Sequence, residues 1–134
     1  MISINDLFLI FIGGGIGSVF RYLTNLFFSK IYFIKLQSVL LGTLTVNIIG
    51  SLILGFAFSF FMNKLGIPNN IKLAISVGFC GGLTTFSTFS LETYNLIKNG
   101  EILYSIVYVI LNVLICVLMI ALGLYLGNIT SKAF

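Results

Sequence analysis

The chain has 134 residues, 59% hydrophobic and 7% charged, with seven basic side chains against three acidic ones and a net charge of +4. A soluble domain carries roughly 25% charged residues, so too few are present here to solvate a surface, and the mean hydropathy of +1.18 puts the apolar excess against lipid. Histidine is absent and the acids are only Asp6, Glu92 and Glu101, which removes most general acid/base and metal-ligand chemistry.

Crossing the hydrocarbon core takes about 20 apolar residues. Residues 4–28, 39–63, 71–97 and 102–127 meet that requirement, separated by polar segments around SKIYFIKLQ, NKLGIPNN and KNGE. The expectation is an all-α membrane protein: one multi-pass domain over 1–134, in the cell (plasma or inner) membrane. The N-terminus carries an acid and no basic residue before its apolar stretch, so it predicts a first span, not a cleaved signal peptide. Lys64, Lys72 and Lys132 fall on one side; Lys30, Lys35 and Lys98, with Arg21 nearby, fall on the other. The positive-inside rule therefore selects neither orientation. Either one loop dominates insertion, or the chain inserts both ways and antiparallel copies pair.

In the first span Gly13, Gly17 and Arg21 recur at four-residue steps, so they share a face. The glycines suit close helix contact, as does Ser51-xxx-Gly55 in the second span. Arg21 either snorkels to the interface or faces a vestibule where it attracts anions. The second span aligns Thr43, Asn47 and Ser51 in a polar stripe. That stripe serves interhelical hydrogen bonds, or its Asn47 amide donates to an anion.

The third span is the anomaly. GFCGGLTTFSTFSLE (78–92) holds three glycines and five hydroxyls inside a membrane segment. Gly81-Gly82 weakens the helix by about 1 kcal/mol per glycine, and Ser and Thr compete for its backbone bonds. A break here frees backbone groups that are tolerable only in a cavity or on an ion; a glycine kink packed by neighbours is the plainer alternative. Phe86 and Phe89 share a face, against lipid or with their electropositive ring edges toward an anion. Glu92, four residues after Thr88, is a coupling acid or a hydrogen-bonded structural group. The fourth span repeats a row at Tyr108, Asn112 and Cys116. Cys80 and Cys116 read as small core residues.

Soluble-enzyme motifs fail. GGGIGS (13–18) lacks the last glycine of the dinucleotide fingerprint, GGLTTFST has no P-loop lysine, and no base is placed to activate a hydroxyl, so an enzyme is not expected. The scattered basic residues form no stripe with aromatics, which argues against nucleic acid.

GGGIGSVFRY (13–22), GTLTVNIIGSLILG (42–55) and GFCGGLTTFSTFSLE (78–92) together resemble the Fluc (CrcB) family of fluoride channels, in motif order, length and span count. The resemblance implies four helices with the third broken, assembled as a dual-topology antiparallel homodimer in the bilayer. It implies passive export of fluoride along Phe86, Phe89 and Asn47, a hydroxyl track matched by Thr88 and Tyr108, and a vestibule arginine at Arg21. It also implies a structural sodium ion on the backbone carbonyls of Gly81 and Thr84. The family often has serine where this chain has Asn112 and Cys116. On the expected mechanism, donors such as Thr43, Ser87 and Thr88, the Asn47 amide and ring edges replace fluoride's water without trapping it, since no lysine or arginine stands beside the phenylalanines in sequence. The segment Gly81–Thr84 is expected to serve the structural ion and Thr85–Phe89 the permeating anion. Two rivals remain: a small dual-topology proton-coupled exporter using Glu92, and a non-transporting assembly subunit.

Overall fold

The computed structural model describes residues 3–31, 35–63 and 66–133. The expected connections through Tyr32, Phe33 and Ile34 and through Lys64 and Leu65 lie outside the described residues. Among the described residues, four helical spans are long and apolar enough to cross a membrane, close to the expected bounds. They are α1 (Ile4–Ile31), α2 (Lys35–Asn63), a third span divided into α3 (69–83) and α4 (Phe86–Lys98), and α5 (Ile102–Ala133). The chain is a multi-pass membrane protein. The fourth span runs past the expected end at 127 to Ala133.

Local chemistry sets the helix ends. Ser3 N–H donates to Asp6 Oδ2 (2.8 Å) and Asp6 N–H returns a bond to Ser3 Oγ (3.1 Å), so the acid preceding the first span is half of a capping box. Lys72 Nζ donates to the Phe61 carbonyl (3.3 Å) near the end of α2. α4 ends at Gly100, φ +81°, where Gly100 N–H meets the Ile97 carbonyl (3.0 Å) and Glu101 N–H meets that of Leu96 (2.9 Å). This pair is a Schellman motif, and it turns the chain directly into α5.

Glycines decide which helices touch. In α1 the buried residues are Gly13 and Gly17, and both lie against the backbone of α3. A Cβ on Gly17 would stand 2.7 Å from Leu83 N and closer still to the Phe79 carbonyl. α2 and α5 pack through Gly55 against Ile120 and through Gly123 and Gly127 against the Leu52–Ser59 stretch. The α1 glycines therefore act as the spacing indicates, and Gly123-xxx-Gly127 carries the same signal in the fourth span.

Most of the molecule's apolar surface is exposed on the single chain, as for helices whose solvent is lipid. Within α3, residues Ala74–Cys80 wind as a π-helix, a wider turn that frequently accompanies functional sites.

Gly17→Ala should overpack the α1–α3 seam and lower stability by about 1–3 kcal/mol. Gly15→Ala, where an added Cβ meets nothing within 4 Å, should not destabilise it and should add up to about 1 kcal/mol through alanine's helix propensity. Thermal melts in detergent check both.

Candidate functional site

The helix does not break at Gly81-Gly82, as the sequence suggests. Both glycines stay helical, and the chain opens one turn later at Thr84 (ψ 158°) and Thr85 (φ −151°, ψ 121°). The glycine pair instead permits approach: Gly82 packs on the backbone of Gly14, while an added Cβ on Gly81 meets nothing within 4 Å.

Side chains of α1 and α2, together with the Thr85 hydroxyl, take over backbone bonds that the break releases. Thr85 N–H, which a continuous helix would give to the Gly81 carbonyl, donates to Asn47 Oδ1 of α2 (2.9 Å). Asn47 Nδ2 donates back to the Thr85 carbonyl (3.3 Å) and also to Asn112 Oδ1 of α5 (3.1 Å). Arg21 Nη1 of α1 donates to the Thr84 carbonyl (3.3 Å). Thr85 Oγ1 caps α4 by accepting from Thr88 N–H (3.2 Å), and lies 3.0 Å from Thr88 Oγ1 and 3.3 Å from Ser87 Oγ. Thr84 Oγ1 bonds back to the Cys80 carbonyl (2.9 Å). Broken backbone at membrane depth has to be satisfied by its surroundings, and here the surroundings are amide, guanidinium and hydroxyl.

Beyond the break the polar groups form a second cluster. Glu92 is buried, and its carboxyl oxygens accept from Thr43 Oγ1 (2.7 Å) and Tyr108 OH (2.5 Å). Glu92 thus pairs with α2 and α5 and not with neighbouring Thr88, the partner its helical spacing suggests. Phe89 joins the two clusters: its ring lies 5.7 Å from that of Phe86 and 5.4 Å from that of Tyr108, both tilted. Phe89 is buried, while Phe86 is 79% exposed on the single chain.

A cavity of about 340 Å³ opens beside the break, with Asn47, Gly81, Thr84, Phe86, Phe89 and Asn112 in its wall. Ser51 and both cysteines, Cys80 and Cys116, also line it.

A family described as CrcB-like protein, Camphor Resistance (CrcB), matches residues 8–124. The chain belongs to the CrcB family. Similar proteins include the fluoride-specific ion channel FluC of Escherichia coli K12, 42% identical over 117 residues, which are 87% of this chain and 89% of that protein. The protein of the same name from Hydrogenobaculum sp. is 38% identical over 120 residues, 90% of this chain and 95% of that protein.

The CrcB residues singled out from sequence fall into three places. Asn47, Gly81, Thr84, Phe86 and Phe89 meet at the cavity. Thr43 and Tyr108 converge on Glu92. Ser87 and Thr88 gather round the Thr85 hydroxyl. Arg21 is anchored on the break itself, through its bond to the Thr84 carbonyl. The roles of Thr85 as helix cap and Asn112 as partner of Asn47 were missed. A Thr followed three residues later by a second hydroxyl at a helix restart is the signal that could have found the first.

Asn47→Leu keeps the side chain's size but leaves the buried Thr85 N–H without its acceptor, a loss of about 1–3 kcal/mol. Hydrogen exchange at Thr85 and Thr88 should accelerate in this variant while exchange in α5 holds.

Proposed function

We propose that this chain is a fluoride-selective channel that lets fluoride leave the cell passively and so lowers its internal concentration. The observation that carries this is the cavity at the break, where the Asn47 amide and the Phe86 and Phe89 rings meet in a chain whose relatives are fluoride-specific channels along most of their length. Fluoride is small and strongly hydrated, so its shed water has to be replaced by hydrogen-bond donors and electropositive ring edges. Binding must also stay weak enough for release. The Asn47 amide, the Ser87 and Thr88 hydroxyls and the two rings meet both conditions. Arg21, with its charge held against the Thr84 carbonyl, supplies a positive field at the approach without a free ammonium or guanidinium in the pathway. Thr43 and Tyr108 hold Glu92 as a buried acceptor and fix α2 and α5 on α4. The role is transport, not catalysis.

The channel is an antiparallel homodimer of dual topology. Phe86 at 79% exposure and the open Gly81 wall leave the pathway one-sided in a single chain, and the balanced lysine count permits both orientations. A structural sodium ion fits the carbonyls of Gly81 and Thr84. The first has lost its helical donor to Asn47, the second keeps a lone pair beside its bond from Arg21, and oxygen-only ligands suit a hard cation. Such an ion would supply positive charge that ties the two broken spans together.

Liposomes loaded with fluoride or chloride test the function directly: fluoride should leave through the protein far faster than chloride, and equal rates would refute selectivity. Phe86→Ile and Phe89→Ile should slow fluoride efflux with the dimer intact on size exclusion. A fluoride efflux rate that is unaltered by an imposed proton gradient separates a channel from the proton-coupled exporter. Replacing sodium by N-methylglucamine should lower the dimer's melting temperature, as loss of a ligand bound to the folded state does. Cross-linking between single cysteines at opposite membrane faces reports antiparallel pairing.

A further inference from the structure

Asn112 is 5% exposed on α5 and lines the cavity at the break. The direction of every bond around it follows from one fixed donor. Thr85 N–H can only donate, so the atom of Asn47 that faces it, at 2.9 Å, is the oxygen Oδ1. The other end of that amide is Nδ2, which has two hydrogens and no acceptor capacity. One hydrogen goes to the Thr85 carbonyl and the other to Asn112. Asn112 must therefore present its oxygen, and its own Nδ2 turns away to the Tyr108 carbonyl one turn back, at 3.2 Å. That carbonyl already serves the α5 ladder.

The amide expected to meet the anion consequently has no free hydrogen. An ion can bind it only by displacing one of its two acceptors. The Thr85 carbonyl belongs to a backbone held at both polar atoms, whereas Asn112 Oδ1 ends a side chain that moves by rotation about two bonds. We propose that Asn112 is a placeholder acceptor and a specificity-determining residue: its Oδ1 occupies the Asn47 amide in the resting state, and the permeating anion must displace it. The proposal rests on the fluoride function proposed above.

Displacement filters anions by acceptor strength. Fluoride accepts hydrogen bonds more strongly than an amide oxygen, and a bond to a charged acceptor is roughly twice as strong as a neutral one. Chloride is a weak acceptor and gains too little from the exchange.

Two variants and one measurement on the parent protein test this. N112L keeps the size and removes the competing acceptor, so the half-saturating fluoride concentration for efflux should fall by roughly two- to tenfold and the preference for fluoride over chloride should narrow. N112D puts a charged acceptor in the same place, which fluoride cannot displace, so fluoride efflux should drop by about tenfold or more with the oligomer unchanged on size exclusion. In the parent protein labelled with 15N-asparagine, fluoride titration in nanodiscs should move the side-chain amide resonances of Asn47 and Asn112 together, and this result does not depend on either variant folding. Half-saturation and selectivity within about twofold of the parent in both variants, or movement of the Asn47 resonance alone, would overturn the proposal while the parent's fluoride efflux still stands. A parent protein that conducts no fluoride would refute the proposed function, and the placeholder with it.

Discussion

The structure depends on one side chain meeting one stretch of backbone. Asn47 bonds to both the N–H and the carbonyl of Thr85, doing for that residue what a neighbouring turn of helix would otherwise do. A break in a membrane helix is tolerable only when its released polar groups find partners inside the protein. A carboxamide can serve a donor and an acceptor at once, which neither a hydroxyl of one rotor nor a charged group does with the same geometry. With Thr85 held, Arg21 satisfies the Thr84 carbonyl and the Thr85 hydroxyl restarts α4. The opening at Phe86 and Phe89 follows from these contacts.

The glycines make that meeting possible without joining it. α1 lies so close to α3 that Gly13 and Gly17 touch backbone atoms, which brings Arg21, one turn further on the same face, within reach of the break. Gly50 lets α2 pass over Thr84, where an added Cβ would collide with the threonine methyl. In lipid, where apolar burial gives helices little reason to associate, van der Waals contact of this closeness is a main source of attraction. The polar cluster is therefore held in register by parts of the chain that carry no polar side chain.

Span number, span limits and the special character of 78–92 are legible in the sequence, because hydropathy over about 20 residues and an excess of glycine and hydroxyl are local properties. The three motifs were enough to point to the family. What stayed hidden is what sets the break against its neighbours. Gly81-Gly82 carries a high helix-breaking propensity, yet the helix survives it, because Gly82 is braced by the backbone of Gly14 in α1 and that close packing offsets the cost of glycine. The break falls at Thr84 and Thr85 because the partners that reward it, Asn47 and Arg21, are 38 and 63 residues distant in sequence. No local pattern reports such a distance. Glu92 is a similar case: its helical neighbour Thr88 is the partner that spacing suggests, but its oxygens are taken by hydroxyls from α2 and α5.

A continuous membrane helix is complete in itself; the third span of this protein is not. Its Thr85 N–H and its Thr84 carbonyl are satisfied by residues of α2 and α1, both of which are synthesised first. Emerging into the bilayer alone, the span has every reason to close its own backbone bonds and stay unbroken. It can open only against partners already waiting in the membrane. The order of the spans along the chain therefore sets Arg21 and Asn47, the two side chains of the clamp, ahead of the segment they hold open.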